Sequence, residues 1–93
     1  MKLQLFSVFD SKAVAFFPMF SCANIAIAQR TISDCLDEVG HPFAKNPGDY
    51  TLFHIGSFDD ANAIIETLIP PRNLGILATY REPIEQIVPK RVA

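Results

Sequence analysis

Two runs of β-forming residues on either side of a short turn constrain the fold more than any other feature. Tyr50-Thr51-Leu52-Phe53-His54-Ile55-Gly56 alternates in the manner of a strand, with Thr51, Phe53 and Ile55 on one face and Tyr50, Leu52 and His54 on the other. Asp59-Asp60-Ala61-Asn62 supplies turn chemistry, because short polar side chains bond the following backbone and Asn tolerates a left-handed conformation. Ile64 and Ile65 begin a return strand, so the stretch predicts a β-hairpin.

A further strand is expected over residues 3–9, where Leu3, Leu5 and Phe9 line one face and Phe6 and Val8 the other. Asp10-Ser11 closes it as a turn, and residues 13–20, apolar but broken by Pro18, read as an extended, buried connection. Asn24 is placed to cap a helix whose apolar stripe comprises Ile25, Ala28, Ile32, Cys35, Leu36 and Val39. Gln29, Arg30, Ser33, Asp37 and Glu38 form its wet side, and Gly40 and Pro42 supply the stop. Residues 41–49 read as a loop, Leu74–Tyr80 as a short helix or strand, and the chain from Pro83 onward as a loosely held tail.

The expected order is β-α-β-β: a single α+β domain over residues 1–82, with one amphipathic helix packed on a mostly antiparallel sheet and a flexible tail over 83–93. Three strands leave unpaired edges, so a homodimer through those edges is a natural expectation.

The 93 residues carry a formal net charge of −2, which argues against a generally basic nucleic-acid binder. The charge is unevenly spread. Basic side chains prevail before residue 34 and after residue 66, while Asp34, Asp37, Glu38, Asp49, Asp59, Asp60 and Glu66 crowd the middle around Lys45. Between Lys12 and Arg30 the chain is free of charge and ends in Ala26-Ile27-Ala28, the small-x-small form of a signal cleavage site. Pro18, Ser21 and Asn24 interrupt the apolar run, which is also too broken to span a membrane.

Chemistry for catalysis is sparse. Cys22, Cys35, His41 and His54 lack the close pairing of a zinc site, and Cys22 and Cys35 are expected to be reduced thiols. Asp59 and Asp60 belong to a turn, and His54 to a sheet face. No Gly-rich phosphate loop occurs, and no spacing implies an activated nucleophile. Neither an enzyme nor a cofactor is expected. Basic residues near aromatics occur at Lys12 with Phe16, Lys45 with Tyr50, and Tyr80 with Arg81, the local form used to bind single strands through backbone charge and base stacking.

Taken together, Ser7 to Ala13, Phe17-Pro18-Met19-Phe20, Ala28-Gln29-Arg30 and the block Lys45–Asp60 resemble the small non-structural protein of gokushovirus-type microviruses, phages with circular single-stranded DNA. The chain departs from that pattern at Asn46-Pro47, where His-Pro is usual, and at Ala61-Asn62, where Thr-Gly is usual. The resemblance implies a non-structural accessory protein acting in the cytoplasm of the infected bacterium, in viral single-stranded DNA synthesis or packaging. Its implied partners are single-stranded DNA or viral and host replication proteins, the latter through a protein–protein adaptor role. It brings no catalytic residues. The candidate DNA contacts are Lys12, Arg30, Lys45 and Arg81, with Tyr50 or Tyr80 stacking on bases.

Overall fold

Lys2–Asp10 forms the first strand, β1, in a computed structural model that describes residues 1–81. The tail expected over 83–93 lies outside the described residues. β1 is central, as its two apolar faces require: on one side it pairs antiparallel with β4 (Tyr50–Asp59), and on the other with two short strands, β2 (Ala15–Phe16) and β3 (Phe20–Cys22). β5 (Ile64–Ile76) pairs antiparallel with the far side of β4. The hairpin expected from the sequence is therefore present, and both of its strands run further than the alternation showed. The α+β architecture holds, with five strands in place of three.

The helix α1 (Ile25–Leu36) lies over one face of this sheet. Asn24 caps it as expected, its side-chain oxygen accepting from Ile27 N at 2.9 Å, a bond that contributes about 1 kcal/mol. Ala28, Ile32 and Leu36 enter the core with Phe6, Val8 and Leu52 from the sheet. Burial of each large apolar side chain there stabilises by about 1.5–3 kcal/mol. Ala28 is fully buried, so the residues that mimic a cleavage site form the first turns of the core helix.

Three expectations are corrected. Val39 is not on the apolar stripe: α1 ends at Leu36, and Val39 stands fully exposed in the turn that follows. Asp34, Asp37 and Glu38 oppose the helix dipole there, while Gly40 takes up a left-handed φ of 89°. The loop 41–49 is ordered into a short helix, α2 (Pro42–Lys45), and a 3₁₀ turn, Pro47–Asp49. His41 caps α2, with Nδ1 accepting from Phe43 N at 3.1 Å, and Pro42 occupies the first helical position, where no amide is required.

The third correction concerns residues 13–20: 13–19 are exposed, not buried, while Phe20 is half-buried against the core. After the Asp10 turn the chain folds back on β1, so Phe9 stands opposite Phe16. Phe16 lies on the face away from α1, whereas Phe17 turns to Phe43 and Tyr50 on the α1 side. Leu74–Tyr80 divides between the two expected forms, completing β5 and then closing as a 3₁₀ turn, Leu77–Tyr80, with Leu77 fully buried.

Candidate nucleic-acid interface

The sequence nominated six contact residues, and the fold draws Lys12, Lys45, Tyr50 and Arg81 to one end of the sheet. Lys12 sits in the turn between β1 and β2, where Asp10 Oδ1 accepts from Lys12 N at 2.9 Å and Ala13 N at 3.2 Å. Ser11 fastens this turn to the 3₁₀ turn before β4, donating to Asp49 O from its amide at 2.9 Å and its hydroxyl at 3.0 Å. Lys45 closes α2 immediately before that 3₁₀ turn and is exposed. Arg81 Nη2 donates to Ala44 O at 2.6 Å, which brings its guanidinium beside Lys45. An arginine held by one N–H keeps other donors of its planar fork for an anion.

The two tyrosines differ from the expected stacking platforms. Tyr50 begins β4 at this end, but its ring is half-buried against Phe43, with centroids 4.8 Å apart, and meets Phe17 edge-on at 6.0 Å. Tyr80 is a clasp: its hydroxyl donates to Leu74 O and accepts from Gln29 Nε2 at 3.1 Å, and its carbonyl accepts from Ser33 Oγ at 3.4 Å. It ties the end of β5 to α1. Arg30 stands apart from the cluster, exposed on α1 one position beyond the Gln29 that holds Tyr80.

A family model described as Phage ORF5 protein matches residues 3–80. The chain belongs to that family. The match spans every strand and helix described above, so the fold is the family's unit and the protein is a phage protein. No curated protein and no solved structure matches the chain.

His54 and the two cysteines of this phage ORF5 protein pack within the fold. His54 stacks on Phe6, centroids 5.1 Å apart, and its Nε2 lies 2.8 Å from Gln4 Oε1 and 3.1 Å from Gly56 O. Two acceptors on one nitrogen require that Nε2 carry the ring proton. Cys22 and Cys35 are free and half-buried. Burial pushes both thiols up from their ordinary pKa, and the carboxylates of Glu38 and Asp34 raise Cys35 further, so little reactive thiolate forms at neutral pH. No described helix is long and apolar enough to cross a membrane.

What the sequence reading missed is an aromatic cluster on the sheet face away from α1. Phe9 and Phe16 pack with centroids 4.9 Å apart, and Phe16 meets Phe53 edge-on at 5.4 Å. The signal was present in Phe53 and Ile55, which alternate with the core-facing Leu52 and His54. It was masked because an uncharged run such as 13–20 reads as interior.

Proposed function

We propose that this ORF5-family protein is a non-enzymatic accessory factor of a gokushovirus-type microvirus, acting in the host cytoplasm on single-stranded viral DNA during its synthesis or packaging. The observation that carries the reading is the convergence of Lys12, Lys45 and Arg81 at one end of the sheet, from three segments far apart in sequence. Backbone phosphates are met there by exposed cations on fastened turns, so ordering costs little on binding. Arg30 extends the contact along α1, and the exposed part of Tyr50 is the stacking surface at the same end.

Fluorescence anisotropy with a labelled oligonucleotide tests this. Binding should be salt-sensitive, and the pair Lys12→Glu and Lys45→Glu should lower affinity at least tenfold. Each lost phosphate contact should reduce the salt slope by about 0.7. Absence of binding at low salt would refute DNA contact. The rival adaptor reading is favoured by the opposite end, where Asp59, Asp60 and Glu66 at the β4–β5 turn outnumber the two cations they meet, the Met1 amine and Lys2. It would be supported by nuclease-resistant capture of a replication protein from infected cells.

A further inference from the structure

A sheet with apolar residues on both faces needs cover on both, and α1 covers one. The register fixes what lies on the other. Phe16, Phe9, Thr51 and Ile76 stand side by side across β2, β1, β4 and β5, and Ser7, Phe53 and Asn73 form the next row. Residues directly opposite in antiparallel strands share a face. Phe16, Phe17, Met19, Ile55 and Pro71 border a groove of about 310 Å³ against Ser7. The lining is almost wholly apolar and contains no charged side chain.

Much of this surface is in water. Phe16 is 51% exposed, Met19 55% and Ile76 45%. With whole aromatic side chains amounting to roughly 150–250 Å² each, these three expose on the order of 300 Å² of apolar area. That is near the largest patch a monomer ordinarily shows, and it suits the buried centre of an interface of about 800 Å² per partner.

We propose that the occupant of this face is a second copy of the chain, stacked sheet on sheet around Phe16, Phe53 and Met19. The absence of charge decides between occupants. A nucleic acid brings phosphates, which need cations that these rows lack, whereas a two-fold partner brings the same neutral rings and methyls. The geometry also replaces the edge-to-edge dimer expected from the sequence. β5 is the long free edge, and Pro70-Pro71 within it remove two backbone donors, which blunts an edge against strand addition. Stacked sheets lie about 10 Å apart, a spacing that Phe and Met side chains fill.

Sedimentation equilibrium on the full chain tests the proposal. Wild type should show twice the 10.3 kDa chain mass at high micromolar concentration. Met19→Lys and Phe16→Lys should each halve it with far-UV circular dichroism unchanged, while Ile64→Lys, on the other face of β5 opposite Asp59, should leave the dimer intact. Met19 is exposed, so its substitution leaves the core untouched. A wild-type mass of 10.3 kDa, a dimer that survives Met19→Lys, or one dissolved equally by Ile64→Lys would each overturn the proposal. So would a monomer that loses oligonucleotide binding on Phe16→Lys, which would make the face a nucleic-acid platform.

Discussion

A methyl group at Gly56 would sit 2.2 Å from Glu66 O, inside any permissible contact with a backbone atom. Gly56 lies where β1 and β5 both change register against β4: His54 pairs with Phe6 and Arg72, and Gly56 with Leu5 and Thr67. Leu68 to Pro71 therefore stand opposite Ile55 alone, and β5 closes back on β4 at Glu66 only because residue 56 has no side chain. Gly56→Ala should cost about 1–3 kcal/mol, since the obstacle is backbone and a strand must shift. Urea denaturation should show a lower midpoint with an unchanged slope. In the sequence this glycine only closes the alternating run that begins at Tyr50. The alternation of Leu52 and His54 was legible, but nothing local announces that a neighbouring carbonyl will occupy the Cβ position.

Elements were legible where local chemistry settles them and hidden where tertiary context overrides it. Asn24 was readable as a cap because its side chain answers a helix amide whatever surrounds it, and the β4–β5 turn because Asp59 and Asn62 bond their own following backbone. β5 was not readable beyond Ile65, because Pro70-Pro71 signals a break. On an edge strand that rule relaxes, since the side facing away from β4 has no partner to donate to. The Tyr80 clasp was invisible for a related reason: Leu74 and Gln29 become its neighbours only once β5 and α1 are packed. Tyr80→Phe keeps the ring and removes both bonds of the hydroxyl. It should cost about 1–3 kcal/mol, because Leu74 O and Gln29 Nε2 are left without that partner. The same variant should bind oligonucleotide as wild type does when fully folded. A midpoint of unfolding equal to wild type would show that the clasp contributes nothing.

At the scale of the whole molecule, the proposed DNA contact and the proposed dimer rest on different surfaces, so their effects on stability are separable. A chain of this length buries only about 60–65% of the surface it exposes when unfolded, so covering a second face is a large fraction of its stability. If copies stack through Phe16, Phe53 and Met19, each tenfold rise in protein concentration adds about 1.4 kcal/mol to the stability of the dimer. The thermal midpoint should then climb by a few degrees per decade of concentration, given the usual relation between free energy and Tm for a unit of this size. Met19→Lys should melt at a lower temperature that no longer depends on concentration. Lys12→Glu, which alters the basic end alone, should retain the wild-type concentration dependence while weakening oligonucleotide binding. Scanning both variants over two decades of concentration separates the surfaces: a Met19→Lys protein with the wild-type slope would show that the uncovered face is not what joins the copies. The stacked arrangement also carries two basic ends in one particle, so the apparent affinity for a long strand should exceed that for a short one by effective concentration alone.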